Sequence, residues 1–477
     1  MSIKNNKHAI IIGAGITGLA CAWKLCKAGY KITIIEKESF AGGLSATHDW
    51  DGWKFDYGAH NFFTKHEEIV EFYKSNLPYN FSHRQINVKL HIFNKLITYP
   101  LLGIHVFYVL PPLLMLKAGI NFFFSRIVAL IFGINYTERL DEWIIRRFGK
   151  ALYKIYFEPY LERVQKINPK YLSKDIGEKK ISVFSIRQYL IREVTKNKII
   201  HPDDITFWGT YYFKKGFGKM TDYFYNNLMK NENVTLLLNE KINTINTNSN
   251  NIISIETEKR IISAQNADVI STIPLNTLIR FYKEMIPNFN KGSFFSNFEY
   301  TKMRFFLIKT NRDKIMGYNW TNFNNSRYPY YRVSESLHDQ FEMTPINKCS
   351  LTFEIPLNEE DELWKINDES LLKIILPLFN EVFQLKSDEI IDCKSLYIDN
   401  ANPRMNINYK KKLSRVFSSI LKFNNFYSIG RQGLFTYINA DGCTKMGFNF
   451  AQAIIENTAR REQKILLKQF HQIEIRN

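Results

Sequence analysis

The six residues Gly13-Ala14-Gly15-Ile16-Thr17-Gly18 constrain this chain more than any other feature. They follow an apolar run, His8 to Gly13, that reads as a buried strand. They open a stretch, Ile16 to Ala28, that reads as a helix closed by Gly29. Tyr30 to Glu36 reads as a second buried strand. Two apolar strands around one helix imply a parallel pair with a right-handed crossover. In that setting Gly13 allows the tight turn, Gly15 lets a pyrophosphate approach backbone N–H groups, and Gly18 lets helix and strand pack closely. Ile16 and Thr17 begin the helix, whose N-terminus offers a positive dipole end to phosphates. Glu36 ends the second strand, beside Lys37, and can accept hydrogen bonds from ribose hydroxyls. Its charge disfavours a 2′-phosphate.

A second glycine pair follows in Ala41-Gly42-Gly43-Leu44-Ser45, a further close approach to a bound dinucleotide. Phe55-Asp56-Tyr57-Gly58-Ala59-His60 then places small residues and a histidine after a strand. The run from Gly13 to His60 resembles the FAD-binding half of the amine oxidase and protoporphyrinogen oxidase superfamily. UDP-galactopyranose mutases share that cofactor fold and have a similar GG pair followed by D-x-G-x-H. Trp143-Ile144-Ile145-Arg146-Arg147-Phe148-Gly149, with Phe157-Glu158-Pro159-Tyr160, resembles the W-x-x-x-x-F-G…F-x-P-Y segment of bacterial protoporphyrinogen-oxidase-like proteins. Members often continue K-V-W-G. This chain has Arg163-Val164-Gln165-Lys166 instead, so whatever that Trp does is missing.

The resemblance implies FAD and a cofactor site completed near the C-terminus. Phe426 to Gly433 reads as a strand entering a turn, and Gly442 to Glu462 as the closing helix. Many flavoprotein oxidases carry G-D at this point. Here Gly430-Arg431 stands there, followed by Phe435, Tyr437, Asn439 and Asp441, a pattern similar to the mutases. Arg431 is expected to neutralise the FAD diphosphate through a bidentate contact, with a surface charge as the alternative. Asn439 and Asp441 are expected near the flavin and ribityl chain, with a plain helix N-cap as the alternative for Asp441. Gly58, Ala59 and Ile242 complete the expected cofactor set.

The isoalloxazine would carry the chemistry, so the protein need only position substrate and tune the ring. His60 is the first candidate for moving a proton beside it, unless it only buttresses the cofactor. Arg327 to Ser334 alternates like a strand, which would set Tyr328, Tyr330 and Arg332 on one face suited to a phosphorylated or carboxylated substrate. The other reading of that face is a solvated sheet surface. Arg404 and Tyr437 join His60, Tyr328 and Arg332 as catalytic candidates. No motif in the sequence suggests a metal site.

At 477 residues the chain exceeds one core. The expected fold is α/β plus α+β: a Rossmann-like, glutathione-reductase-type FAD domain assembled from separated segments, with a substrate domain of antiparallel sheet and helices. The expected segments are 1–86, 206–298 and 421–477 for FAD, 87–205 for a helical lobe, and 299–420 for the sheet domain. Within these, Val234 to Ile245, Ile252 to Val269, Glu299 to Thr310 and Lys348 to Ile355 read as strands. Leu140 to Tyr160 reads as one amphipathic helix ending near Pro159, and Ser370 to Phe383 as a helix kinked at Pro377.

Thr98 to Ile134 is strongly apolar but broken by Pro100 and Pro111-Pro112, and gives no clean span of about 20 apolar residues. It reads either as a helical lobe beside the active site or as a monotopic surface dipping into a membrane. The charge of +18 fits attraction to an anionic partner, a diphosphate- or lipid-linked small molecule among them, or a general abundance of Lys, Asn and Ile. No basic run interleaved with aromatics points to nucleic acid. Five cysteines without a CxxC pair, and a polar start without an apolar leader, imply a cytoplasmic protein, at the inner membrane face if the apolar stretch makes contact. Three functions stay open: an oxidoreductase moving hydride on a hydrophobic, lipid-linked or anionic substrate, a sugar-nucleotide mutase working through reduced FAD, and a flavin-binding protein without turnover.

Overall fold

The computed structural model describes residues 7–64, 66–84, 86–99, 111–132, 137–180, 209–285 and 298–473. Five parallel strands form the first sheet, in the order Val234–Leu237, Lys31–Ile35, His8–Ile12, Ala267–Ser271, Phe426–Ser428. Its strands come from the beginning, middle and end of the chain, and their side chains are apolar on both faces, as a sheet covered on both sides requires. The fingerprint helix Ile16–Lys27 lies against the C-terminal helix Ala440–Ile455. That crossing is tight: a Cβ on Gly447 would stand 2.6 Å from the Thr17 carbonyl oxygen.

A three-stranded antiparallel sheet, Ile242–Asn248, Asn251–Thr257 and Ile261–Ser263, leans on this core. Two expected strands are thereby split. Val234–Ile245 breaks at Asn239, which takes φ 52°, and Ile252–Val269 breaks at the turns around Lys259 and Asn266. The second main sheet has seven strands in the order Ile390–Pro403, Tyr300–Thr310, Cys349–Leu357, Arg332–Leu337, Trp320–Phe323, Val88–Ile92, Lys95–Tyr99. All neighbours are antiparallel except Trp320–Phe323 with Val88–Ile92. The helix Asp368–Asn380, with Pro377 inside it, covers one face.

Three further expectations are corrected. Leu140–Tyr160 is not one helix. It runs to Leu152, breaks at Gly149 (φ 84°, ψ 155°), passes through a π turn over Tyr153–Phe157 and restarts as Glu158–Gln165. Gly149 is required because a Cβ there would lie 2.9–3.1 Å from the Asn121–Phe122 backbone. Pro159 therefore opens a helix rather than closing one, as its missing N–H permits. Arg327–Ser334 is a strand only from Arg332; the Asn325 side chain accepts from the Arg327 amide and holds a turn instead. The closing helix ends at Ile455, and after Asn457 (φ 57°) a separate helix runs from Ala459 to His471.

Candidate functional site

The two glycine loops meet at the C-terminal ends of the parallel strands. The Gly13 amide donates to the Ile35 carbonyl (2.8 Å) and the Gly42 amide to the Ala14 carbonyl (2.8 Å). Gly15 pairs with Gly42 in an isolated bridge, and a Cβ on Gly43 would sit 3.2 Å from the Gly15 Cα. Gly13 and Gly42 have φ of +100° and +116°, which side chains strain to adopt. A Cβ on Gly18 would fall 2.2 Å from the Gly13 carbonyl oxygen, so close helix–strand packing fixes that position. Gly15 differs from these: a Cβ there would meet nothing within 4 Å. Its surface faces open space, where a pyrophosphate would approach the backbone.

Glu36 is buried behind these loops. It accepts from the Ala14 amide (2.8 Å) and the Glu38 amide (3.0 Å), while burial raises its pKa against those two donors. The Glu240 amide donates to the Glu36 carbonyl, which brings the Ile242 strand alongside. Ile16, Thr17 and Ser45 are buried at the loops, and Leu44 lies in the same short turn as Gly43. Lys37 turns outward to pair with Glu38 (3.0 Å).

From the other side, Asp56 fixes the loop that carries His60. It accepts from Thr47 (2.5 Å), from the Tyr212 hydroxyl and from the Phe217 amide (3.1 Å). The Phe217 ring stacks on His60 at 4.7 Å. Burial lowers the His60 pKa although Asp56 and Glu354 oppose it, so the imidazole is neutral near neutral pH. Its Nδ1 is buried with no partner of good hydrogen-bond geometry among the described residues, although the Gly58 backbone acts on the ring. A buried ring nitrogen without a well-aligned partner beside the glycine loops fits a bound cofactor.

Glu354, which drew no notice in the sequence, is the hub of this wall. It accepts from the Ala59 amide (2.9 Å), the Tyr331 hydroxyl (2.6 Å) and Arg332 through two nitrogens (2.5 and 2.7 Å). Gly58 is a glycine because a Cβ there would lie 2.3 Å from the Glu354 carboxylate. Burial lowers the Arg332 pKa, but the Glu354 charge overrides it and raises it.

A second polar cluster lies where the C-terminal turn meets the seven-stranded sheet. Gly430 (φ +85°) sits against the Thr17 hydroxyl, where a Cβ would come to 3.1 Å. Arg431 reaches the Ile438 carbonyl (3.0 Å) and the Asn402 side chain (2.7 Å), and lies over the Tyr437 ring. Arg404 reaches Glu299 (2.8 Å) and Asn358 (3.1 Å). The Tyr437 hydroxyl donates to the Pro403 carbonyl (2.8 Å) and accepts from Gln165 (3.1 Å); burial pushes its pKa up to about 12. The Nε of both arginines and Oε1 of Gln165 are buried and unpartnered among the described residues. Tyr160 lies beside the Glu354 wall, its ring 6.4 Å from Tyr331.

The structure thus joins the His60 loop to Arg332 through Glu354, and groups Arg404, Arg431 and Tyr437 in a second cluster, with Tyr160 next to Tyr331 on the side of the first. Neither includes Tyr328, which lies in the second apolar core with its hydroxyl 3.3 Å from Glu381 and its ring against His91. The turn before Arg332 removes the alternation that would have grouped them. Asn439 is the N-cap of the last-but-one helix, without a side-chain cap, and Asp441 lies in its first turn. Burial raises the Asp441 pKa, opposed first by a hydrogen bond from Thr64. Gln165 was legible only as the residue standing where a Trp was expected.

The model of the NAD(P)-binding Rossmann-like domain matches residues 11–75. The chain is 36% identical over 84 residues to L-amino acid oxidase Lm29 of Lachesis muta, covering 17% of this chain and 16% of that one. It is 48% identical over 52 residues to a phytoene desaturase of Fusarium fujikuroi, covering 11% and 9%. The chain therefore spans less than a fifth of the length of these relatives. Over the whole fold it is similar to reduced UDP-galactopyranose mutase, with TM-score 0.76, 19% identity and coverage of 95% and 96%. A protein from Exiguobacterium sp. 255-15, assigned as a protoporphyrinogen oxidase, aligns with TM-score 0.71, 15% identity and coverage of 95% and 99%. The fold of this chain is the Rossmann-like fold that these two structures share, with the strand–helix–strand fingerprint unit at its N-terminus.

Proposed function

We propose that this protein is an FAD-dependent oxidoreductase acting on a hydrophobic, lipid-linked or anionic substrate. The observation that carries the cofactor is the open face of Gly15 between two interlocked glycine loops, with the buried Glu36 carboxylate behind them. Backbone amides of those loops would hold the diphosphate and Glu36 the ribose. When bound, FAD supplies the hydride chemistry. His60, neutral and with Nδ1 lacking a well-aligned partner, holds or moves a proton at the ring or the substrate. Arg332 is already neutralised by Glu354 and keeps the His60 loop in place rather than binding substrate. Arg431, held by the Ile438 carbonyl and the Asn402 side chain rather than by a carboxylate, keeps its charge for an anionic group, while Arg404 is paired with Glu299 and the Tyr437 proton is committed to the Pro403 carbonyl.

One observation favours a second reading. Two arginine Nε groups buried and unpartnered around a tyrosine suit a diphosphate, and a mutase that works through reduced FAD needs such a grip. The two readings separate in one experiment. Anaerobic flavin bleaching by amine, porphyrinogen or polyene substrates supports the oxidoreductase. No bleaching, with furanose formed from UDP-galactopyranose only after dithionite reduction, replaces it by the mutase.

A further inference from the structure

The helix Pro112–Phe132 is apolar on both sides. One side closes on the helix Leu140–Leu152, where Ala118 is buried against Ala151 and Gly149 admits the Asn121–Phe122 backbone. The other side presents Leu113, Leu116, Ile120, Phe124, Ile127 and Ile131 to solvent; Leu113 is 80% exposed, Phe124 61% and Ile131 67%. Steps of three and four residues place all six on one stripe along a helix of about 30 Å. An exposed apolar stripe of that size marks a surface with a partner.

Charge selects the partner. The helix itself contains no Asp or Glu and carries Lys117 and Arg126. Lys117 is exposed on the apolar side itself. A second copy of this face would bury that ammonium against its own kind. A headgroup layer instead lets the butyl stem lie among acyl chains while the charge reaches phosphate. Among the described residues no helix is long and apolar enough to cross a membrane, so such a helix lies in the interface plane.

We propose that the helix Pro112–Phe132 docks this protein on an anionic lipid surface, its exposed stripe in the acyl boundary and Lys117 at the phosphate level. The site does not depend on the flavin reading. The test is cosedimentation of the full-length chain, saturated with FAD, with phosphatidylcholine vesicles with and without phosphatidylglycerol. The wild type is expected to sediment with the anionic vesicles. Leu116→Glu/Phe124→Glu, whose sites are exposed, is expected to weaken that binding by on the order of tenfold or more, and Lys117→Glu to weaken it in part. Circular dichroism and bound-flavin content verify that the variants are folded. Absence of wild-type binding, equal binding by the double variant, or equal binding to neutral vesicles overturns the proposal. So does light scattering showing a dimer that the double variant converts to monomer, because a second copy would then be the occupant.

Discussion

At Gly15 the missing side chain separates two properties that usually move together, folding and cofactor retention. A Cβ at Gly13, Gly18 or Gly42 would strike a neighbour, but at Gly15 it would enter open space. Gly15→Asp is therefore expected to leave the melting temperature of the apoprotein within about 2 °C of wild type, as an exposed substitution does. The same variant is expected to retain no FAD after desalting, since its carboxylate would face the diphosphate. Stoichiometric yellow protein would remove the loop from the cofactor site. Glu354 behaves in the opposite way. Glu354→Gln keeps the shape but leaves Arg332 without its countercharge, and is expected to cost about 3 kcal/mol in urea unfolding. Arg332→Met added to it should recover part of that loss, because the uncompensated charge goes with it. No recovery would mean that the damage comes from the Ala59 and Tyr331 hydrogen bonds instead. Glycine spacing announced Gly13, Gly15 and Gly18 in the sequence because only backbone conformation and approach distance are at stake there. Nothing announced Glu354, and Gln165 showed only as a residue in place of a Trp, because the contacts that join them to the site, Ala59 for the one and Tyr437 for the other, are remote in sequence.

Among the elements, the contact that most directly joins the two ends of the chain is the crossing of the helices Ile16–Lys27 and Ala440–Ile455. It depends on Gly447, where a side chain would meet the Thr17 carbonyl, and it sets Gly430 against the Thr17 hydroxyl. Gly447→Val would push the helices apart at a backbone atom, which a rotamer change cannot relieve. The expected cost is about 2–3 kcal/mol. FAD affinity should fall with it, because both lips of the site ride on these helices. A variant with wild-type stability in thermal unfolding would show that the crossing relaxes freely. The parallel strands were legible from their apolar runs, since burial on both faces leaves no other composition. The breaks inside expected elements were not legible. Gly149 interrupts a helix to admit another helix's backbone, and Asn239, Asn266 and Asn457 interrupt by taking positive φ. Each is a tertiary or turn requirement that a local hydrophobic period does not record. Tyr328 leaves the face that alternation predicts for the same reason: an Asn325-capped turn precedes a strand that starts only at Arg332.

For the molecule as a whole, three distant segments close on one buried titratable group. His471 ends the helix Ala459–His471, its Nε2 2.8 Å from the Leu434 carbonyl and its Nδ1 3.2 Å from the Tyr409 hydroxyl. Tyr409 in turn donates to Asp175 (2.6 Å), which also pairs with Lys410 (2.9 Å), while Lys179 is held by Thr436 and the Phe470 carbonyl. Burial, reinforced by Lys179, lowers the His471 pKa from 6.5 to about 3, against opposition from the Leu434 hydrogen bond and Asp175. A depressed histidine pKa means that the unfolded chain binds the proton more tightly than the folded one. The folded state therefore keeps its full stability above pH 6.5 and loses it as the pH falls toward 3. At about 1.4 kcal/mol per pH unit, this one residue should account for about 2 kcal/mol between pH 7 and pH 5. Asp175 is shifted in the direction that weakens folding only below the ordinary carboxylate range, so it does not compete in this window. His8, His48, His60 and His91 are lowered by burial too and add slope of the same sign. His471→Asn replaces the titrating ring with a neutral amide. Chemical unfolding at pH 7 and pH 5 should show the variant less stable than wild type at pH 7 but with a gap between the two pH values smaller by about 2 kcal/mol. An unchanged gap would place the acid sensitivity in the other four histidines, and the junction of the three segments would then carry no proton linkage.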